Sequence, residues 1–389
     1  MDVFGASGIG SRRKDKRPCQ ALPGLPLDCT GTRTGLAGLR AIMSAMGSVK
    51  TTQDLGDAAA ARAAEPTWAE IVAAHGRIAA RIHRTPVMTS ATFDRMASAR
   101  LFFKCENLQK TGSFKIRGAA NAILSLTEEE AWRGIVTQSS GNHAAAVACA
   151  AAWRGTQAWI VMPKNAPRVK CDAVEGYGGK IAFCEPTVSA RKAMCAKVQA
   201  ETGAVLVHPY DDGRVITGAA TAAKELLEEV PDLDAILTPV SGGGLLSGSC
   251  LSARHVRPEI RMFGCEPAVA NDAYLSMKTG ELQTLEASDT IADGLRASLA
   301  PRTFAILRRE LAGVLQVSEA EIVEAMRLLW ERMKIVVEPS SSIVLAPLLK
   351  TSGVAGLQLA PRTDGQPAKI GLILSGGNVD LSALPFGPR

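Results

Sequence analysis

The chain has 389 residues, 47% hydrophobic but only 4% aromatic, with a formal charge of +6. Eight basic and three acidic residues lie among the first 50. The body is therefore near neutral, which excludes a nucleic-acid binder with a basic face and stacking aromatics. No apolar run reaches the roughly 18 residues of a membrane span, and nine cysteines without a C-x-x-C pair or zinc spacing read as buried thiols in a reducing compartment.

Residues 1–60 mix Gly, Pro, Ser, Thr, Arg and Ala without periodicity and read as a tail. The tail is a transit peptide, which would direct the protein to a chloroplast or mitochondrion, or it is a disordered extension of a cytoplasmic protein, or it lies upstream of a true start at Met43 or Met46.

Ordered structure begins near Pro66, where Ile71, Ile78 and Ile82 fall at near-helical spacing. Strands and helices then alternate: strand 101–104, a loop and helix over 112–126, strand 134–137, helix 142–153 and strand 158–162. Helix 167–176, strand 180–184, helix 188–201, strand 204–207, helix 217–229, strand 235–240 and a helix after Gly244 continue the pattern. Strands 261–265 and 370–374 close it, separated by helices over 302–311, 319–334 and 341–349. The alternation predicts an α/β protein with mostly parallel sheets flanked by helices.

Ligands of such sheets sit beyond the carboxyl ends of strands, and four of these turns are unusual. Lys110-Thr111-Gly112-Ser113-Phe114-Lys115 sets a lysine before a helix; desolvated there, Lys115 would lose proton affinity and act as nucleophile or base. Read alone, it is also an ordinary surface lysine. Ser139-Ser140-Gly141-Asn142-His143 puts hydroxyls and free amides at a helix start, a seat for a carboxylate beyond what simple capping needs.

Ser241-Gly242-Gly243-Gly244-Leu245 lets backbone amides curl round a phosphate. A dinucleotide-dependent oxidoreductase would need G-x-G-x-x-G, and counted from Gly242 the last glycine falls one residue late, at Gly248; Glu266 keeps that rival open. Ser375-Gly376-Gly377-Asn378 offers a neutral hydroxyl for a ring nitrogen, or is a plain turn. Lysine, anion seat, phosphate cup and hydroxyl on one sheet edge together make a constellation for pyridoxal phosphate.

With these motifs in this order, the sequence resembles the fold type II pyridoxal-phosphate enzymes of the tryptophan synthase β-like class. Within them it is most similar to the serine and threonine dehydratases and the plant-type serine racemases, from about Thr85 to Leu381. The resemblance implies that Lys115 holds pyridoxal 5'-phosphate covalently, that Asn142 touches its phenolic oxygen, that Ser241, Gly242, Gly243, Gly244 and Leu245 hold its phosphate, and that Ser375 meets its ring nitrogen. It implies that Lys115 and Ser140 are the two bases flanking Cα of serine, so that racemisation and β-elimination to pyruvate and ammonia share one site. It further implies a substrate carboxylate held by Ser139, Ser140, Asn142 and His143, with Arg191 meeting a second carboxylate if the substrate is 3-hydroxyaspartate. A dedicated serine, threonine or 3-hydroxyaspartate dehydratase is the alternative activity.

By the same resemblance Glu266, the Ala270 carbonyl and Asp272 bind Mg²⁺ or Ca²⁺, although read alone Glu266 and Asp272 are a solvated loop pair. Ser90, Lys110, Thr111, Lys334 and Asn378 match positions that contact ATP as an effector. Ala91 and Thr92 replace a Ser and an Ile beside them, Ala297 stands where animal racemases carry a Ser, and Ala219 and Ala220 replace a Gln and a Gly. The expected organisation is a large domain from 61–133 and 212–389, a small mobile domain from 134–211, and a homodimer acting on a small amino acid.

Overall fold

The computed structural model describes residues 65–285, 288–350 and 353–386; the expected tail lies outside them. The first helix, α1 (Trp68–Ile78), begins where the Thr67 hydroxyl accepts from the Glu70 amide and the Glu70 carboxylate accepts from the Thr67 amide. Such a reciprocal cap is worth about 1 kcal/mol. It fixes the helix so that Ile71, Ala74 and Ile78 face inward.

The chain then forms β1 (Val87–Met88), α2 (Ala91–Ala97), β2 (Arg100–Cys105), α3 (Lys115–Leu124) and α4 (Glu128–Arg133). A regular alternation follows: β3 (Ile135–Gln138), α5 (Asn142–Arg154), β4 (Ala158–Pro163), α6 (Arg168–Gly176), β5 (Lys180–Cys184), α7 (Val188–Thr202) and β6 (Val205–Leu206). Next come α8 (Gly213–Glu229), β7 (Ala235–Pro239), α9 (Gly244–Val256), β8 (Arg261–Pro267) and α10 (Asp272–Thr279). The last elements are α11 (Pro301–Glu310), β9 (Leu311–Val317), α12 (Glu319–Met333), α13 (Pro339–Ser342) and β10 (Lys369–Leu374).

These strands make two sheets. Four form a parallel sheet in the order β5-β4-β3-β6, and six form a sheet in the order β1-β2-β10-β7-β8-β9, parallel except at the β1–β2 edge. Parallel strands are covered on both faces and read as continuous apolar runs. In β7 every residue is buried, with Ala235 and Leu237 entering one core and Ile236 the core on the opposite face. Helix α3 precedes the four-stranded sheet in sequence, yet Ile116, Ala119, Ala120 and Ile123 pack into that sheet's core with Ala144, Val147 and Ala151 of α5.

The alternation read from sequence is the one observed, with identifiable departures. Strand β9 was not expected: it follows α11 without any Gly or Pro between them, so nothing punctuates the change of period. Helices α2, α4 and α10 also went unread; they are short, at seven, six and eight residues. Helix α8 starts at Gly213, where the Asp212 carboxylate caps the Arg214 amide, and not at 217. The helix expected over 341–349 is instead α13 and a separate 3₁₀ turn, because Pro347 supplies no amide to continue an α-helix. No described helix is long and apolar enough to cross a membrane, and Cys149, Cys250 and Cys265 are buried free thiols as expected.

Candidate active site

Lys115 is the first residue of α3 and is half-buried. Its Nζ donates to the Pro209 carbonyl at 3.1 Å and lies 5.1 Å from the centre of the Phe114 ring. Burial lowers its pKa to about 8, against which the charge of Glu338 acts. The segment carrying it is tied to the end of β10: the Phe114 amide donates to the Ser375 carbonyl at 2.9 Å, and Ser113 bridges Gly376. One strand end thus sets both Lys115 and the buried Ser375.

The loop from β3 to α5 carries Ser139, Ser140 and Gly141. The Gly141 amide donates to the Ser139 hydroxyl at 3.4 Å, and α5 begins at Asn142 without a side-chain cap, leaving first-turn amides for another acceptor. Asn142 Nδ2 donates to both carboxylate oxygens of Glu338 at 3.0 Å. His143 is buried with Nε2 at 3.3 Å from the Val207 carbonyl and no partner for Nδ1. Burial and then the Lys115 charge push its pKa down to about 3, so the ring is neutral.

Between β7 and α9 the Ser241 hydroxyl donates to the Ala297 carbonyl and accepts from the Ala297 amide, both at 3.0 Å. Gly243 has φ +87°, a conformation that a side chain strains, and a Cβ there would meet Leu299 and Thr303 at 2.8 Å. The Tyr210 ring covers Gly242, where a Cβ would come within 2.3 Å of it, and Leu245 is buried at the start of α9. Arg191 on α7 is half-buried, makes no ion pair among the described residues, and its charge reaches Tyr210.

Glu266 and Asp272 are not a solvated pair: they are 1% and 4% exposed. β8 runs on to Pro267 and Asp272 opens α10, which carries both carboxylates inward. Glu266 accepts from the Ala273 and Tyr274 amides at 2.9 Å, and Asp272 accepts from the Leu299 amide at 3.0 Å. Burial raises their pKa values to about 8 and about 6, the Asp272 charge adding to the shift of Glu266. Ala270 is buried beside them. Among the described residues no cluster of three or more His, Cys, Asp or Glu is placed to hold a metal, so any cation here needs carbonyl or water oxygens as well.

Of the five residues matched to a nucleotide site, Thr111 and Asn378 are joined directly, Asn378 Nδ2 donating to the Thr111 carbonyl at 2.8 Å. Lys110 lies over the Trp153 ring at 5.6 Å. Ser90 caps α2 and Lys334 Nζ donates to the Glu331 carbonyl; no hydrogen bond joins either to the other three.

Glu338 was missed in the sequence. It is buried, its pKa raised to about 7 by burial against the pull of the Asn142 hydrogen bonds. Its only local signal is an acid ahead of Pro339 and three serines. Pro209 and Tyr210, which border Lys115 and the glycine turn, were also missed.

A lysine of reduced proton affinity, a glycine turn closed to side chains and an uncapped helix start, all at strand ends of one α/β body, define an enzyme that carries a cofactor. Residues 78–376 match the family model described as pyridoxal-phosphate dependent enzyme. The chain is 49% identical over 312 residues to a serine racemase of Arabidopsis thaliana, covering 80% of this chain and 92% of that protein. It is 46% identical over 322 residues to a β-hydroxyaspartate dehydratase of Paracoccus denitrificans, covering 82% and 99%. The maize serine racemase structure superposes with a TM-score of 0.77 at 46% identity, over 81% of this chain and 94% of that one. The chain belongs to the pyridoxal-phosphate dependent enzyme family and has its fold type II architecture.

The residues present fit that cofactor. Lys115 offers an amine with a lowered pKa, Gly242, Gly243 and Gly244 leave no room for a side chain at the turn, and the buried Ser113 Oγ and His143 Nδ1 have no hydrogen-bond partner.

Proposed function

We propose that the protein interconverts L- and D-serine and also eliminates water from serine, the released aminoacrylate then taking up water to give pyruvate and ammonia. The observation that carries this reading is Lys115: a half-buried amine of lowered pKa, close enough to His143 in the first turn of the uncapped α5 for its charge to act on that ring. The similarity to serine racemases along nearly their whole length supports the choice of serine.

Pyridoxal phosphate, when bound, supplies an electron sink that stabilises negative charge on Cα. Lys115 holds it through Nζ, the amides of Ser241, Gly242, Gly243, Gly244 and Leu245 take its phosphate, Asn142 its phenolic oxygen and Ser375 its ring nitrogen. Ser139, Ser140, Asn142 and His143 seat the substrate carboxylate at the α5 amino terminus, where free N–H groups and the helix dipole favour an anion. Lys115 Nζ moves the Cα proton on one face of the substrate and Ser140 Oγ on the other. A proton taken by one and returned by the other inverts the centre. Neutral His143 adds no positive charge beside Lys115, and burial makes the amine give up its proton more readily, while the charge of Glu338, held by Asn142, works the other way.

Glu266, Asp272 and the Ala270 carbonyl take Mg²⁺ or Ca²⁺, whose charge would offset the cost of burying two carboxylates together. Ser90, Lys110, Thr111, Lys334 and Asn378 are the residues toward which ATP would act as an effector. We further propose a homodimer in which 134–211 moves as a lid over the substrate and excludes water. The protein is placed in the cytoplasm, or in a chloroplast or mitochondrion if its tail is a transit peptide.

A second reading is dehydration of 3-hydroxyaspartate. It is favoured by Arg191, which has no ion pair among the described residues, and by the similarity to the Paracoccus dehydratase over 99% of that protein. One experiment separates the two. Purified protein with L-serine in D₂O is followed for the visible cofactor band, D-serine and pyruvate. Deuterated D-serine establishes the racemase, pyruvate alone moves the assignment to a dehydratase, and no band after adding pyridoxal phosphate rejects both.

A further inference from the structure

Four charged side chains that take no part in the site are buried together behind Lys115. Arg117 lies two residues further along α3, Lys104 is on β2, Glu106 follows β2 and Glu225 is on α8; none is more than 1% exposed. The Arg117 guanidinium grips both acids. Its Nε and Nη2 donate to the Glu106 carboxylate at 2.6 and 2.8 Å, and its Nη1 and Nη2 donate to the Glu225 carboxylate at 2.8 Å each. Nη1 also donates to the Thr221 hydroxyl at 3.1 Å. Lys104 Nζ donates to Glu225 at 2.6 Å and to the Thr85 carbonyl at 2.7 Å, and the Thr85 hydroxyl donates to Glu106 at 2.5 Å.

Two cationic and two acidic side chains meet here: hydrogen bonds from His75, whose Nε2 lies 3.4 Å from Glu225, and from Arg117, with the charges of Arg117 and Lys104, hold Glu225 well below the usual carboxylate range despite burial. Such pairing at best recovers the hydration the ions have given up, and apolar residues of like volume often stabilise as well. What it adds is geometry, because a planar guanidinium forked to two acids fixes direction as well as distance.

That geometry falls where α3 needs it. The helix starts at Lys115 without a side-chain cap. Upstream, Ser113 and Phe114 are tied to Gly376 and Ser375 of the six-stranded sheet. Downstream, α3 meets α8 backbone to backbone, since a Cβ on Gly218 would lie 2.3 Å from the Arg117 carbonyl oxygen. Meanwhile the apolar face of α3 belongs to the core of the other sheet. The helix is therefore shared, and Arg117 is the side chain that ties its first turn to the six-stranded sheet and α8.

We propose that Arg117, through its forks to Glu106 and Glu225, is the positioning residue for Lys115, setting the height and rotation of the first turn of α3 and so the place of the Lys115 Nζ. The inference rests on reading Lys115 as the cofactor-bearing lysine. A displacement of about 1 Å at such a group costs on the order of a hundredfold in rate.

The test compares the native chain with Arg117→Lys, which keeps the charge but not the fork, and with Arg117→Met/Glu106→Gln, which leaves the cluster neutral. Three quantities are read: the melting temperature of the cofactor-free protein, the rate at which that protein takes up added pyridoxal phosphate as the visible band, and kcat and KM for L-serine. The expected result is a neutral double variant that melts near the native temperature with KM little changed, while uptake and kcat each fall at least tenfold; Arg117→Lys loses kcat in the same way. A variant that melts like the native protein and also keeps native uptake and kcat overturns the proposal. Should both variants fail to fold, Thr221→Val, which removes one acceptor, is read identically: reduced kcat at unchanged KM and melting temperature supports it, native kcat overturns it. A native chain that forms no visible band brings down the reading of Lys115 itself, whereas a native band with unaffected variants brings down only the role of Arg117.

Discussion

Asn142 Nδ2 stands 3.0 Å from each carboxylate oxygen of Glu338, and Asn142 Oδ1 accepts from Asn378 Nδ2 at 2.9 Å. One amide thereby joins the start of α5 to two residues that flank the end of β10. Because the Glu338 charge raises the Lys115 pKa while burial lowers it to about 8, Glu338→Gln should move that midpoint further down. The pH dependence of pyridoxal-phosphate uptake by cofactor-free protein measures it. The variant's uptake should reach half its maximum at a lower pH than that of the native chain, and an upward shift would contradict the electrostatic account.

The buried acids give the cofactor-free, cation-free protein a definite pH dependence. Glu338, Glu266 and Asp272 have folded-state pKa values raised to about 7, about 8 and about 6. Between about 4 and 8 these acids hold protons in the folded state that the unfolded state has released, so their contribution to stability falls as pH rises through that window, offset in part below about 6.5 by His143, which is neutral when folded and protonated when unfolded. Denaturant titrations at pH 5 and pH 8 should differ in that direction, by a few kcal/mol at most.

A divalent cation at Glu266 and Asp272 would take the place of those protons. Mg²⁺ or Ca²⁺ should therefore raise the melting temperature more at pH 8 than at pH 5, and a chelator should reverse it. At a hundredfold excess over Kd the stabilisation is about 2.7 kcal/mol. Glu266→Gln should abolish the response, and a cation effect that survives this change would place the ion elsewhere.

Ser140→Ala should remove racemisation, by at least a hundredfold in D-serine formed from L-serine, while elimination to pyruvate persists. Lys115→Ala should remove both reactions and the visible band. Chiral chromatography and a pyruvate assay on the same samples check the pair; unchanged racemisation in Ser140→Ala would reject the two-base assignment.

Gly243→Ala places a Cβ at φ +87° and 2.8 Å from Leu299 and Thr303. Strain of this kind costs about 1–3 kcal/mol. Pyridoxal-phosphate titration should show weakened binding of at least tenfold, alongside a lower melting temperature.

The turns at strand ends were legible because glycine, serine and asparagine crowd there against apolar strands, and Lys115, Asn142, Gly242 and Ser375 all stood out on that ground. Glu338 did not. Its partner Asn142 lies 196 residues away, so nothing in its neighbourhood records the contact. Arg117 stood inside a motif that was read, but its acids are 11 and 108 residues distant. Burial of Glu266 and Asp272 was hidden in the same way, since two acids in a Pro- and Asn-containing segment look solvated until α10 is known to follow.

The order of strands in the six-stranded sheet bears on how the protein is made. β10, the last strand synthesised, lies between β2 and β7, and pairs Lys369 with Arg100 and Ile370 with Ala235. The four-stranded sheet draws all its strands from 135–206. On the ribosome that sheet is able to close early, whereas β2 and β7 wait, with a gap between them, for a strand that follows both of them in the chain. Lys115 is therefore translated long before the Ser375 carbonyl that anchors its loop, and in a nascent chain the first turn of α3 lacks that anchor until β10 has left the tunnel.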